Sequence, residues 1–292
     1  MFSKAYQIAS HYTQPILISH VKFDGTVECG VATFVIVNAD GWIITAAHVF
    51  DILIAHQRDT VEINQYTQQL QGINNNPNLN THQKNGQIEA LKPNPNWIKN
   101  CSYWWGADHH RIDNIQLLGE NDLAIGRLIN YNPEFCKQYP VFKKPVNLSM
   151  GTSLCKLGYP FHEVKASFIE ANSSFQIAPD ALPIPRFPID GILTREVLMG
   201  KSSNGFFDIK FIETSTPGLR GQSGGPIFDT QGNIWALQSR TAHLSLGFSP
   251  KIKVGNQEIT EHQFINVGMG VHVETILKFM DTNKLQYQIS EE

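Results

Sequence analysis

Apolar positions along this chain recur mostly with a period of two and are interrupted by turn-forming residues, the pattern of half-buried β-strands. Residues 15–21 form a short apolar run. Residues 30–37 read GVATFVIV and precede Asn38-Ala39-Asp40-Gly41, a hairpin turn with its return strand at 42–45. Residues 46–54 fit one helical turn. The stretch 56–118 is different: it is rich in Asn and Gln with few apolar positions, so a polar, partly mobile surface insertion is expected there. Alternation returns at 122–129. Residues 130–146, with Pro133, Pro140 and Pro145, read as a linker between two halves.

The second half repeats the style, with strands expected at 153–157, 175–177, 191–198, 207–214, 226–229, 234–239 and 264–273, and a turn at 229–233. Ile276, Leu277, Phe279, Met280 and Leu285 then recur at helical spacing, which predicts an amphipathic helix over 274–285. Short strands in two groups, with little helix, predict an all-β architecture of two small β-barrels with a C-terminal helix. Residues 1–145 form one half, carrying the 56–118 insertion, and 146–292 form the other.

Composition narrows the function. With 292 residues, 41% hydrophobic and 17% charged, the chain has the make-up of a soluble globular protein. A formal charge of -3 gives no electrostatic case for nucleic acid or an anionic membrane. No apolar run approaches the roughly 20 residues of a membrane span. The opening MFSKAYQIASHYTQ lacks the pattern of a secretory signal, which predicts a cytoplasmic protein. Cys29, Cys101, Cys136 and Cys155 have no zinc-like spacing, so free thiols are expected, with a Cys101–Cys136 disulfide as the alternative. Asp108-His109-His110 invites a metal reading, but adjacent histidines on an extended chain point apart, so no metal is expected. Trp104 and Trp105 could cap a groove or dock a partner.

The chemistry concentrates in three places. Gly221-Gln222-Ser223-Gly224-Gly225-Pro226 offers a serine among glycines, which permit backbone angles that turn successive N–H groups inward. Thr45-Ala46-Ala47-His48 offers a base with small neighbours. Asn121-Asp122-Leu123-Ala124-Ile125 offers a carboxylate at the start of a strand; its rivals Asp108 and Asp113 do not directly precede such a strand. A hydroxyl, an imidazole and a carboxylate together turn a weak nucleophile into a strong one. The Gly221 and Ser223 amides would hold the oxyanion.

Four stretches carry a family resemblance: 41–50 (GWIITAAHVF), 121–128 (NDLAIGRL), 221–239 (GQSGGPIFDTQGNIWALQS) and 268–273 (GMGVHV). They resemble the histidine turn, aspartate strand, nucleophile loop and pocket-closing strand of the chymotrypsin/trypsin-like serine peptidases, and more closely the bacterial HtrA-type protease domains. The resemblance spans about 15–50 and 120–285. It implies a chymotrypsin-like double β-barrel with His48, Asp122 and Ser223 as triad. It also implies a substrate pocket bounded by Pro217, by Gln238, Ser239 and Arg240, and by Met269 and Gly270. No HtrA-type PDZ domain is expected after the second barrel, so the resemblance is to the protease domain alone.

Two departures from the trypsin pattern are informative. Gln222 stands where trypsin-like zymogens carry the aspartate that pairs with a freed N-terminus, so activation by N-terminal insertion is not expected. Pro217 stands where trypsin-like enzymes carry the aspartate that selects Lys or Arg. Arg240 or His272 would favour an acidic residue before the scissile bond, and Met269 a small or apolar one.

The resulting expectation is a serine endopeptidase acting on protein or peptide substrates without cofactor. An activating protein partner could work through the 56–118 insertion. The alternatives are a protease-fold binding or regulatory module with little turnover, and an esterase with the same machinery.

Overall fold

The computed structural model describes residues 1–106, 111–146, 148–255 and 257–291. Helix α1 (Ser3–Tyr12) leads into β1 (Thr13–Lys22), β2 (Val27–Ile36) and β3 (Trp42–Thr45). A 3-10 turn at Ala47–Phe50 runs directly into α2 (Asp51–Asn75), which α3 (Thr81–Ala90) follows. Strands β4 (Ile98–Trp104), β5 (Arg111–Leu118) and β6 (Leu123–Ile129) complete a six-stranded first sheet in the order β4-β1-β2-β3-β6-β5. The β2–β3 hairpin turns where the sequence indicates. Gly41 has φ +78°, and the Asn38 side-chain oxygen accepts the Asp40 N–H at 3.1 Å.

The second half contains β7 (Val141–Phe142), β8 (Ser153–Gly158), β9 (Ala166–Ile169), β10 (Ser174–Ile177), β11 (Phe187–Lys201) and β12 (Asp208–Thr214). Then come β13 (Pro226–Phe228), β14 (Ile234–Ser245), β15 (Lys251–Val254), β16 (Gln257–Thr260), β17 (Phe264–His272), α4 (Val273–Thr282) and β18 (Gln288–Ile289). Eight of these strands form one sheet, ordered β13-β8-β11-β12-β17-β14-β7-β18. Because β13 also pairs with β14, this sheet closes on itself and leaves no open edge between them. The hairpins β9–β10 and β15–β16 stand apart from it. The architecture is the expected all-β double barrel with a C-terminal helix. Helix α4 begins where the His272 side chain accepts the Glu274 N–H at 3.0 Å, and it buries Ile276, Leu277, Phe279 and Met280.

Three features differ from the sequence-based expectation. Helix α1 was not expected. It buries Ala5, Ala9 and Tyr12 and reaches the second barrel, where the Tyr12 hydroxyl donates to Gly232 O at 3.3 Å and Phe2 meets Phe228 edge-on.

The polar stretch 56–118 is mostly regular: it holds most of α2, all of α3, and two strands of the first sheet, β4 and β5. Its elements lack an apolar stripe because they bury little. Asp59 is the one residue of α2 that is buried. That carboxylate accepts the Ile98 N–H of edge strand β4 at 2.8 Å, and His56 Nδ1 donates to Ile98 O at 3.0 Å. Helix side chains thus occupy backbone groups of an edge strand. Tyr66 packs with Phe23 and Trp97 below this contact.

Trp105 is a core residue, edge-on to Phe34 and Phe135, and with Trp104 it lines a cavity of about 320 Å³ beside Tyr159 and Leu182. All four cysteines are free thiols, and Cys101 sits in β4 opposite His20. Asp108, His109 and His110 lie outside the described residues. Among the described residues, no helix is long and apolar enough to cross a membrane.

Candidate active site

His48 and Asp122 meet because their strands do. Strand β3 pairs with β6 in antiparallel register, Thr45 opposite Ala124, so the turn leaving β3 faces the residue entering β6. Asp122 adopts a left-handed backbone, φ +55°, ψ +47°, which aims its carboxylate back at that turn. His48 Nδ1 lies 2.9 Å from Asp122 Oδ1 and 3.0 Å from Oδ2, and the His48 backbone N–H donates to Oδ1 at 3.0 Å. The rival Asp113 lies on β5 opposite Arg127, an exposed position.

Ser239 of the second barrel donates its hydroxyl to Asp122 Oδ2. The carboxylate is therefore shared by both barrels. Burial pushes the Asp122 carboxyl up, but the hydrogen bonds from the His48 ring, Ser239 and the His48 amide outweigh it and hold it below the ordinary value. The Asp122 hydrogen bond in turn raises the His48 imidazole against its own partial burial, with Asp51 adding to the rise and Arg240 opposing it.

Ser223 lies in the loop between β12 and β13 and is half-buried. Two contacts dock this loop on the first barrel. The Thr33 N–H donates to Ser223 O at 2.9 Å and the Thr33 hydroxyl to Gly221 O at 2.7 Å, while within that barrel the Thr45 hydroxyl donates to Thr33 O at 2.7 Å. Gly224, with φ +80°, sits so close to Thr45, Thr33 O and Ala46 N that no Cβ fits. The Ser223 loop is thus pressed against the strand end that carries His48. Ser223 Oγ makes no hydrogen bond to His48 here. The Gly221 and Ser223 N–H groups have no acceptor among the described residues. They are the two donors the sequence assigns to an oxyanion.

Gln222 is fully buried, and its side-chain oxygen accepts the Leu219 N–H at 3.0 Å while its own N–H donates to Leu219 O at 2.9 Å. The neutral side chain that replaces the zymogen-type aspartate braces its own loop. A cavity of about 190 Å³ opens beside Ser223, lined by Gly218, Leu219 and Arg220 on one side and Gln238, Ser239, Arg240 and Thr241 on the other.

The remaining expected pocket residues are placed differently. Met269 is in the core, Gly270 packs against Ile227 and Ala236, and His272 is buried at the start of α4; none of them lines the cavity. The Pro217 carbonyl, with that of Thr216, accepts from Lys156 Nζ, a fully buried amine on β8 that burial lowers to about 7.

Lys156 and Thr241 are not among the residues that the sequence motifs indicate. Lys156 carries a signal, since a lysine interrupting the apolar run LCKLG must find buried acceptors. Thr241 was hidden by a β-bulge at 238–240, which shifts the register between β14 and β17 and upsets simple alternation.

A family model described as a trypsin-like peptidase domain matches residues 32–237. Similar solved structures include an HtrA-type protease, AlgW with a tripeptide, at 14% identity and TM-score 0.47, covering 97% of this chain and 63% of that one. The Rv3671c protease from M. tuberculosis in its active form is similar at 10% identity and TM-score 0.48, covering 97% of this chain and 86% of that one. The chain thus spans less than two thirds of the AlgW chain. No curated protein matches.

Proposed function

The chain belongs to the trypsin-like peptidase domain family, and from that premise we propose that it is a serine endopeptidase with Ser223 as nucleophile. His48 Nε2 takes the Ser223 proton as Oγ attacks the scissile carbonyl. Asp122 accepts the His48 Nδ1–H, fixes the tautomer and stabilises the imidazolium. The tetrahedral oxyanion is held by the Gly221 and Ser223 N–H groups, each worth roughly 3–4 kcal/mol in such a site. His48 then protonates the leaving amine, and water repeats the cycle on the acyl-enzyme.

The observation that carries this reading is the carboxylate of Asp122, held by His48 from one barrel and Ser239 from the other. Such an arrangement orients an imidazole for base catalysis and costs a buried charge that a plain scaffold would have no use for. The test is a fluorophosphonate probe followed by peptide mapping. Labelling at Ser223 that is lost in His48→Ala supports the reading; a Ser223 that stays unlabelled sinks it.

A second reading, a protease-fold module with little turnover, draws on the absence of a Ser223–His48 hydrogen bond. Ligand-free catalytic serines commonly sit loosely, so the same labelling experiment decides between the two.

A further inference from the structure

The cavity beside Ser223 is spanned from wall to wall. The Thr241 hydroxyl of β14 donates across it to Gly218 O at 2.6 Å. Gln238, almost fully buried, donates its amide to Arg240 O at 2.9 Å and Met269 O at 3.2 Å, which holds its carboxamide flat against Gly218. A Cβ on Gly218 would collide with that carboxamide. Behind Thr241, its β17 neighbour Gly268 is packed against Lys156 Nζ, Thr216 O and the Thr214 hydroxyl, so the far wall has no room to retreat. Lys156 fixes the Thr216 and Pro217 carbonyls in turn.

This inference rests on the serine-peptidase reading. If Ser223 attacks a peptide carbonyl, the side chain before the scissile bond (P1) must enter between residues 218–220 and 238–241. We propose that Thr241 and Gln238 are the specificity-determining residues of this site, and that they limit it to peptides with a small uncharged P1 side chain: glycine, alanine or serine. Thr241 fills the width of the slot and Gln238 its depth. The exposed residues Arg220 and Arg240 line the same cavity, and among the described residues no acidic side chain does, so lysine and arginine at P1 meet like charge.

The experiment uses peptidyl diphenyl phosphonates that differ only at P1, together with a simple fluorophosphonate that has no P1 group. Wild-type protein should react with the Ala and Ser probes at least about 100-fold faster than with the Leu, Phe and Lys probes. Thr241→Gly should raise the rate with the Leu and Phe probes about 10-fold or more. Thr241→Val, which keeps the bulk and loses the hydroxyl, should retain the small-residue preference, so it also covers the case in which the glycine variant does not fold. Fluorophosphonate labelling with equal or faster reaction of the Phe probe overturns the specificity proposal alone. No labelling by any probe overturns the peptidase reading, and this proposal with it.

Discussion

His48 Nδ1 and the His48 backbone N–H both reach one oxygen of Asp122, at 2.9 and 3.0 Å. A single carboxylate therefore fixes both the ring and the peptide that carries it. Asp122→Asn keeps the shape, but its amide can present a donor where the imidazole needs an acceptor. The expected outcome is a fall in kcat of about 10⁴-fold with KM little changed, as for a triad with the wrong tautomer. Steady-state hydrolysis of a peptide with alanine at P1 measures it.

The same contact sets the pH dependence. His48 must be neutral to act as base, and Asp122 raises its pKa above the ordinary 6.5. Activity should therefore be lost as pH falls through a value above 6.5. Ser239→Ala removes one donor to Asp122, and kcat should fall roughly 10-fold, the scale of a hydrogen bond to a charged group. A kcat/KM profile from pH 5 to 9 reads the first expectation, and kcat at the plateau reads the second.

Lys156 ties pocket geometry to stability. Its amine is lowered to about 7 by burial, from 10.5 in the unfolded chain. Between those values the unfolded state binds the proton and the folded state does not, so stability should rise as pH goes from 7 towards 10. Below pH 7 both states are protonated, and this dependence levels off. Lys156→Met should flatten the rise. Urea midpoints at pH 7, 8, 9 and 10 for both proteins check it.

Asp59 holds α2 on the edge of the first sheet through the Ile98 N–H. Asp59→Ala leaves that buried donor without an acceptor, at a cost of about 1–3 kcal/mol. The urea midpoint should fall accordingly, and backbone amide exchange should speed up in 98–104 before the rest of the barrel.

Much of this molecule is legible in its sequence, for identifiable reasons. The strands around His48 and Ser223 bury one face or both, so their turns and alternation stand out: β8 at 153–158 and β12 at 208–214 lie within a residue of expectation. Helix α4 shows its apolar stripe plainly. Helix α2 does not, because a 25-residue helix that buries only Asp59 has no stripe to read. Strand β5 presents mostly exposed positions and was absorbed into the same polar stretch. In the site, the motifs point to His48, Asp122 and Gly221–Ser223. The pocket is harder, because the bulge at 238–240 redirects side chains one register step away from simple alternation. The extra residue lies on β14, so it is Thr241 of that strand that takes the wall, while Met269 is buried in the core and Gly270 packs against Ile227 and Ala236.

The central claim is that Ser223 cleaves peptide bonds with His48 as its base. The most direct measurement is cleavage of an unbiased peptide library by the purified chain beside Ser223→Ala, with products identified by mass spectrometry. The account predicts cleavage after Gly, Ala or Ser that vanishes in the variant. Cleavage that persists in Ser223→Ala, or an intact library beside a protein that is folded, would contradict it.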